Sequence, residues 1–422
     1  MLTLHLAQRS LTNRRLTSGL TVASIALSVA LLVGVENVRT GMRESFSNTI
    51  SRTDLIVGPR TGTLQLLLYS VFGMGSPTGN LSHESYEYWA AHPAVDWTIP
   101  YALGDSHRGF RVIGTDTTFY ARYRYRGGQE LALSEGRVPT ALYDLALGAD
   151  VATELGYALG DSVAVTHGMA GFLDHGDKPF VVRAIIAKTF TPVDRAIYTT
   201  LGGLAAVHLG WELGAPPMPG QEVHAHEAEE MHEHGELELG QITSFFVGAK
   251  SRQAVLQLQR DINTWEGEPM TAVIPGLALA ELWRGIGFAE SGLQVVTLFV
   301  VIVGLLGMVV SLYTSLDARR REMAILRAIG AGPRRIVTLL VLESGLLATG
   351  GALLGLGLVY ALLFTLQPWV EGRFGLYLPI EAPGAAQVAY VAAVIVIGFI
   401  IGLVPALKAY RTALHDGLAV RV

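Results

Sequence analysis

Four long apolar stretches, unevenly spaced along the chain, constrain its fold more than any other feature of the sequence. A membrane-spanning helix needs roughly 20 mostly apolar residues. The stretches at residues 16–38, 293–316, 336–366 and 385–407 meet that requirement, and the sequence between them, from about 45 to 289, contains no such run. The sequence therefore predicts one transmembrane helix, a large block outside the bilayer, and three further transmembrane helices.

The first apolar stretch has to be distinguished from a signal peptide, because arginines precede it. Its apolar run is longer than a typical signal-peptide core, and residues 33–36, VGVE, offer no small-x-small cleavage site. We interpret this stretch as an uncleaved membrane anchor.

The composition agrees with a membrane protein. Only 16% of the 422 residues are charged, whereas soluble domains have about a quarter. The absence of cysteine excludes thiolate metal ligands, thiol nucleophiles and disulfides, so a metal site would need histidine and carboxylate ligands. A net charge of -5 argues against a nucleic-acid partner, because such proteins present basic surfaces to the phosphates.

The distribution of arginine and lysine predicts the orientation in the membrane, since cytoplasmic loops are enriched in both. Arginines without acids precede the first span, six arginines lie between the second and third spans, and basic residues follow the fourth. The connection between the third and fourth spans has only Arg373 beside two glutamates. We therefore expect both termini in the cytoplasm and the large block outside it.

Residues 319–331, RRREMAILRAIGA, carry the most specific sequence motif. This motif, followed by an apolar run, resembles the signature of FtsX-like and MacB-like ABC transporter permeases. The resemblance extends over most of the chain, through residues 5–35, 54–57, 112–116, 134–137, 147–150, 159–163, 180–183, 191–194 and 404–409.

The resemblance implies partners, a location and a task. Members of this family form homodimers or related heterodimers in the bacterial inner membrane and work with a cytoplasmic ATPase. They differ in task, from lipoprotein extraction and export of peptides or drugs with partner proteins to control of cell-wall hydrolases. Membrane lipid and a periplasmic partner protein are therefore expected contacts.

ATP hydrolysis is expected in a partner chain. A P-loop needs a Gly-Lys-Ser/Thr ending whose lysine holds the phosphates. The lysines of this chain are Lys178, Lys188, Lys250 and Lys408, and none follows a glycine. We also find no nucleophile-base pairing that predicts catalysis, so the sequence predicts a non-catalytic subunit that binds no ATP itself.

The cytoplasmic loop at residues 317–335 is the predicted contact for the ATPase. Its apolar residues recur at near-helical spacing among arginines, which indicates a short amphipathic helix. The alternative is a positive-inside anchor that contacts only lipid headgroups. The resemblance favours docking, for which the predicted coupling residues are Arg319, Arg320, Arg321, Glu322, Ala324 and Arg327.

The third span contains an acid and a glycine pair that need separate interpretations. Glu343 lies where an ionised carboxylate costs several kcal/mol unless it is shielded, and we assign it a structural or coupling role rather than a proton relay. Gly351 and Gly355 have the spacing that lets two helices approach closely. We assign these glycines to helix packing, within one protomer or across a dimer.

The block between the first and second spans predicts a mixed α+β domain. Residues 110–113, 162–166, 180–186 and 245–248 read as strands, whereas 81–91 and 252–265 read as helices. Helical flanks at residues 36–50 and 276–291 suggest stalks. The apolar segment 64–75 is too short to span a bilayer, so it belongs to the core or a dimer contact, or it binds lipid or a lipid-like substrate.

A histidine-rich insertion departs from the family pattern. His224, His226, His232 and His234 lie within residues 221–239, which contain many glutamates and no lysine or arginine. This composition predicts a flexible acidic loop. Two His-x-His pairs in an extended chain can close on one zinc ion or another transition metal. The alternative is weak, incidental metal binding. His167 and His175 are candidate additional ligands, although a single histidine of this kind is more often an ordinary surface residue.

The predicted fold class is four transmembrane helices, one before and three after a large mixed α+β extracytoplasmic domain. The primary hypothesis is a permease subunit that couples a separate ATPase to movements of this domain. A more specific form of this hypothesis is that the transporter handles a transition metal, which the histidine-rich insertion captures or senses. The alternatives are mechanical regulation of a cell-envelope hydrolase and extraction of lipoprotein or lipid. The predicted segments are an amphipathic lead-in at 1–15, the extracytoplasmic domain at 39–290 with an inserted subdomain at about 112–240, and a cytoplasmic tail at 408–422.

Overall fold

The computed structural model describes residues 2–168, 178–209, 225–233, 240–318, 331–374 and 380–408. The chain divides into two compact units. The first, which we call the membrane unit, comprises Met1–Gly41, Ile286–Trp369 and Leu378–Val422. The second, the outer unit, comprises Met42–Gly285 and Val370–Tyr377.

Long helices dominate the membrane unit, because their apolar side chains suit lipid and a helix satisfies its own backbone hydrogen bonds there. Among the described residues, four helices are long and apolar enough to cross a membrane, beginning at Arg15, Pro275, Arg334 and Ala385. The predicted number and order of spans is confirmed. The helices that contribute to the unit are α1 (Leu2–Asn13), α2 (Arg15–Thr49), α10 (Pro275–Ala318), α11 (Pro333–Phe374) and α12 (Ala385–Ile401).

Small residues allow these helices to pack closely. A Cβ atom at position 351 would lie 2.6 Å from the Cβ of Ile25, and one at position 355 would lie 2.9 Å from the Cβ of Val29. The two glycines therefore lie against α2 within a single protomer, at the close approach that small residues permit in membranes. The Ser28 hydroxyl adds a hydrogen bond of 3.2 Å to the Val300 carbonyl oxygen of α10.

The outer unit is built on one 11-stranded sheet with helices around it. Its order is β15 (Met270–Val273), β1 (Leu55–Pro59), β14 (Ser244–Ala249), β3 (Val95–His107), β4 (Phe110–Thr115), β12 (Ala196–Thr200), β8 (Asp144–Leu147), β11 (Phe180–Ile186) and β7 (Leu133–Gly136), with β10 (Thr166–His167) paired to β3 and β9 (Ser162–Val163) to β11. Most pairs are antiparallel, but β12 runs parallel to β4 and β11 runs parallel to β8. The predicted mixed α+β fold of this region is confirmed.

The strands of the outer unit show the burial pattern expected for a sheet that is covered by helices. In β11, FVVRAII, buried and less buried residues alternate, as expected for a strand with one covered face. Two further two-stranded antiparallel sheets pair β2 (Leu81–Ser82) with β13 (Gln241–Ile242) and β5 (Arg124–Tyr125) with β6 (Gln129–Glu130).

The helices of the outer unit bury one apolar face each. In α9, for example, Val255, Leu258 and Ile262 are buried at helical spacing, and the Ser251 hydroxyl accepts a hydrogen bond from the Ala254 amide at its start. The helices are α3 (Thr63–Val71), α4 (His83–Ala90), α5 (Thr117–Arg122), α6 (Ala149–Leu155), α7 (Leu201–Val207), α8 (Ala225–Glu233) and α9 (Arg252–Asn263).

Helix α8 corrects the prediction of a flexible acidic loop at residues 225–233, whereas the rest of the predicted loop, 221–224 and 234–239, lies outside the described residues. Its residue Ala228 is fully buried and packs with Leu142 and Ala206, and Met231 contacts the same cluster. The three-residue step from Ala228 to Met231 gives the segment an apolar stripe, which the abundance of glutamate and histidine conceals in the sequence. The extended geometry proposed for the His-x-His pairs does not hold at His226, which is helical.

Candidate functional site

The strongest candidate site in the outer unit is formed by three side chains from distant parts of the sequence. Asp105, His167 and His208 each offer one ligand atom, and these atoms lie within 4.8 Å of one another. We call this group the Asp105 cluster. The Asp105 cluster is not the histidine-rich site predicted from the sequence. Of its three residues, the sequence suggested His167 alone, as an auxiliary ligand.

Asp105 lies on β3, immediately after an irregularity in the pairing with β4. The register between the two strands shifts between Leu103 and Asp105, leaving Gly104 as the extra residue. Such bulges redirect the side chain that follows. The Asp105 side chain is completely buried, at 0% exposure.

His167 reaches the carboxylate because its strand pairs with β3. Strand β10 runs antiparallel to β3, and His167 is the direct partner of Asp105 in that register. Directly opposed residues in such a pair place their side chains side by side. The His167 Nδ1 atom lies 3.4 Å from Asp105 Oδ1, and 43% of the His167 side chain is exposed.

His208 completes the cluster from the end of α7. The Thr200 hydroxyl accepts a hydrogen bond from the Gly203 amide at the start of this helix. A Cβ atom at position 203 would overlap the Leu142 carbonyl oxygen, so glycine lets α7 approach the neighbouring backbone. At the other end, the His208 Nε2 atom lies 3.2 Å from Asp105 Oδ1.

The backbone fixes which nitrogen of His208 faces the carboxylate. The Nδ1 atom lies 2.7 Å from the Leu204 carbonyl oxygen, a distance at which Nδ1–H donates a hydrogen bond. In the neutral ring this leaves the Nε2 lone pair directed at the cluster. The His208 Nε2 and His167 Nδ1 atoms are 3.1 Å apart.

Burial and charge act on His208 in opposite directions. Burial lowers the pKa of the imidazole more than any other single influence, but Asp105 and the Leu204 carbonyl raise it, and the net result is a raised pKa. The buried ammonium of Lys178, which donates to the Ala206 carbonyl oxygen at 2.9 Å, weakly lowers it. The Asp105 carboxylate therefore favours the protonated form of His208. Independently, the close approach of the three ligand atoms is a geometry that could hold a metal ion.

A cavity of about 410 Å³ is a second candidate site of the outer unit. Its wall includes Phe46, Phe72 and Met74, and burial lowers the pKa of the Arg111 guanidinium, which also lines it. The predicted apolar segment 64–75 contributes to this cavity, but Leu66 and Leu67 are fully buried in α3. The helical part of the segment therefore contributes to the core, whereas Phe72 and Met74, which follow it, line the cavity.

The structure places the remaining predicted residues as follows. Glu343 is fully buried in α11, beside the buried Ser344. His232 is described as an exposed residue of α8, whereas the side chain of His226 and all of His224 and His234 lie outside the description. The predicted coupling residues Arg319, Arg320, Arg321, Glu322, Ala324 and Arg327 also lie outside the described residues.

His208 could not be found from the sequence. It has no neighbouring histidine, and it is 41 residues from His167. Its role follows from the packing of α7 against the sheet, which no local spacing encodes. The strongest histidine signal in the sequence is the density of histidines at 224–234, which predicted a metal site in the insertion instead.

Comparisons with known proteins identify both parts of the chain. The family model for the MacB-like periplasmic core domain matches residues 18–264, and that for the FtsX-like permease C-terminal region matches residues 295–414. A comparison with curated proteins found no match.

Two solved structures are similar to this chain. The periplasmic region of MacB from Actinobacillus actinomycetemcomitans is 10% identical with a TM-score of 0.33, over 56% of this chain and 94% of the MacB region. The extracellular domain of the noncanonic ABC-type transporter YknZ from Gram-positive bacteria is 12% identical with a TM-score of 0.30, over 53% of this chain and 98% of the YknZ domain.

Proposed function

Because the chain belongs to the family of MacB-like and FtsX-like ABC transporter permeases, we propose that it couples a cytoplasmic ATPase on a separate chain to movements of its outer unit. The observation that carries the proposal is the order of the two matches, a periplasmic core at residues 18–264 followed by a permease region at 295–414. Four membrane-capable helices accompany this order. Permeases of this family are membrane-embedded subunits.

Two helices support the mechanical part of the proposal. Helix α2 and helix α10 each contribute residues to both compact units. In the membrane unit, Arg39 of α2 pairs with Glu36 at 2.7 Å and approaches Glu290 of α10 at 3.9 Å. A side-chain amide of Gln387 in α12 donates to Asn37 at 2.8 Å. A displacement of these helices by the ATPase would therefore be shared among the spans.

The arrangement in the cell follows from the same proposal. The protein works as a dimer in the inner membrane, with both termini in the cytoplasm and the outer unit in the periplasm. The loop at residues 317–335 contacts the ATPase, because its arginines and apolar residues match the family motif. Glu343 serves the packing or coupling of the spans, since it is buried among them.

Charge reversal in the loop tests ATPase docking. We expect Arg327→Glu and Glu322→Arg, each made in the full-length chain, to reduce co-purification with the ATPase and to reduce its stimulation. Arg9→Glu is the matched control, because it reverses one exposed arginine on the predicted cytoplasmic side. Association unchanged by the two loop variants would overturn the docking assignment.

Transition-metal handling is a second candidate function, favoured by the juxtaposition of Asp105, His167 and His208. It predicts that zinc changes the ATPase rate of the complete complex. The two possible sites are separated by replacing His224, His226, His232 and His234. If the insertion captures the ion, the ATPase rate of this variant should no longer respond to zinc. If the Asp105 cluster captures it, the response should remain.

Extraction of lipid or lipoprotein is a third candidate, favoured by the apolar wall of the 410 Å³ cavity. Phe72 lines this cavity, whereas Leu66 is fully buried. A photoreactive amino acid at position 72 should therefore crosslink to acylated protein, and the same group at position 66 should not. Equal crosslinking from both positions would count against the cavity as the binding site.

A further inference from the structure

We propose that Asp105, His167 and His208 form a zinc site in the outer unit, distinct from the histidine-rich insertion. The three ligand atoms are Asp105 Oδ1, His167 Nδ1 and His208 Nε2, and their separations are 3.1, 3.2 and 3.4 Å. In a tetrahedral zinc complex with bonds of 2.0 to 2.1 Å, the ligand atoms are roughly 3.3 to 3.4 Å apart. The cluster thus presents one triangular face of a zinc coordination sphere.

The chemistry of the ligands suits zinc. Two imidazoles and one carboxylate are the ligand types found in zinc sites with three protein ligands. In such sites a water molecule or another donor takes the fourth position. The 43% exposure of the His167 side chain gives the ion a path from solvent.

The surroundings orient the ligands as a metal site requires. The Leu204 carbonyl oxygen accepts a hydrogen bond from His208 Nδ1–H, which directs Nε2 at the site. Backbone or carboxylate partners of this kind orient the histidine ligands of metal sites. His167 is positioned by the β10–β3 register, and Asp105 by the bulge in β3.

Asp105 gives the strongest indication that the cluster binds a cation. Its fully buried carboxylate faces the ring nitrogens of His208 and His167, at 3.2 and 3.4 Å, and accepts no hydrogen bond from a backbone amide or hydroxyl of the described residues. A buried carboxylate is costly unless a cation or hydrogen-bond donors compensate for it. The neighbouring His107 does not compete for this role, because its ring nitrogens face the Ala164 carbonyl and the Tyr157 hydroxyl.

A zinc ion here would connect three parts of the outer unit. It would join β3 to β10 and fix the residue that follows α7, a helix that also contacts β3, β4, β12 and α8. The site is inferred independently of ATPase coupling, because the permease alone can be titrated with zinc. A failure to bind zinc and a failure to dock the ATPase are therefore separate outcomes.

The test is a zinc titration of the full-length permease in detergent, followed by calorimetry. All variants are made in a background in which His224, His226, His232 and His234 are alanine, so that the insertion contributes no binding. We expect one submicromolar site in this background. Asp105→Asn and His208→Gln should each weaken it by at least about tenfold, since removing groups that only orient metal ligands already costs 10- to 100-fold.

A matched control separates the cluster from ordinary histidine-carboxylate pairs. His83 lies 3.3 Å from Glu87 on α4, but no third ligand completes a group there among the described residues. His83→Gln should therefore leave the zinc affinity unchanged. If His83→Gln weakened binding as much as His208→Gln, the proposal would be overturned.

Two further measurements keep the proposal testable if a variant folds poorly. His167→Asn alters the most exposed ligand and should lose zinc binding while the circular dichroism spectrum stays that of the parent. Cobalt bound to the parent should show the intense visible absorption of a tetrahedral complex. Absence of submicromolar zinc binding in the parent, or a weakly absorbing octahedral cobalt complex, would contradict the assignment.

Discussion

Two buried aspartates of the outer unit, Asp105 and Asp194, are surrounded in opposite ways. Asp194 accepts hydrogen bonds from the Thr189 amide at 2.8 Å, the Thr189 hydroxyl at 2.7 Å and the Phe190 amide at 2.6 Å, and Lys188 lies 3.4 Å away. Asp105 faces two imidazole nitrogens instead. The protein itself satisfies the first carboxylate, whereas the second is arranged to receive a cation.

The difference has a simple origin in the chain. All donors to Asp194 come from residues within six positions of it, so the local turn forms them together. The partners of Asp105 come from β10 and from the end of α7, which meet only in the complete fold. Asp194 therefore stabilises a local turn, whereas the cluster around Asp105 forms only when β10 and α7 have packed against β3.

The largest loss of folding stability should come from Asp194→Ala. The substitution leaves the buried Thr189 amide and hydroxyl and the Phe190 amide without their acceptor, and each unsatisfied group costs about 1–3 kcal/mol. We expect a loss of about 3–5 kcal/mol, which lowers the unfolding midpoint of the outer unit by about 6–20 °C. Tryptophan fluorescence during heating of the full-length protein measures this.

Asp96→Ala is the control for Asp194→Ala, because Asp96 is an exposed residue of β3. It should change the free energy of unfolding by less than about 0.5 kcal/mol. Zinc should shift the midpoints of both variants by the same amount as in the parent. A zinc response that disappears with Asp194 would erase the distinction between the two aspartates.

The second effect should come from Asp105→Asn and should depend on zinc. Without zinc, the amide keeps the shape of the carboxylate, and we expect a midpoint within a few degrees of the parent. At a free zinc concentration of 100 times Kd, the parent gains about 2.7 kcal/mol, or about 5–10 °C. The variant should gain almost nothing. Equal zinc stabilisation of parent and variant would show that Asp105 is not a ligand.

Much of the fold could be predicted from the sequence, since hydrophobic periodicity is local. The predicted strand at residues 180–186 coincides with β11, and the predicted helix at 252–265 corresponds to α9, Arg252–Asn263. The number of spans follows from the length of each apolar run. These features depend only on residues that are neighbours in the sequence.

The Asp105 cluster could not be predicted in the same way. It depends on the pairing of a two-residue strand with β3 and on the close approach of α7 to Leu142. Neither contact leaves a periodic signal. In the insertion the local signal was strong but misleading about its conformation. Its dense histidines predicted a flexible metal-binding loop. In the structure, Ala228 is buried against α7, which is a helical packing contact that the composition does not indicate.

The smallest effect should come from Thr200→Val, which tests how far the Asp105 cluster depends on α7. The Thr200 hydroxyl accepts from the Gly203 amide at 2.9 Å and donates to the Leu142 carbonyl oxygen at 2.9 Å. Valine keeps the shape but removes both bonds, and loss of such a cap costs about 1 kcal/mol. Denaturant unfolding of the full-length protein checks this against Thr153→Val, an exposed mid-helix control expected to cost less than about 0.5 kcal/mol.

The zinc affinity of Thr200→Val then distinguishes two ways in which the end of α7 can be held. If the first turn of the helix frays alone, the contact between His208 and Leu204 survives and the affinity changes by less than about twofold, since 1.4 kcal/mol corresponds to tenfold. If α7 shifts as a rigid segment, His208 moves with it and zinc binding weakens in proportion to the lost stability. The second result would mean that zinc affinity at the Asp105 cluster depends on the position of α7. The environment of Asp194 has no such dependence, because its donors are local.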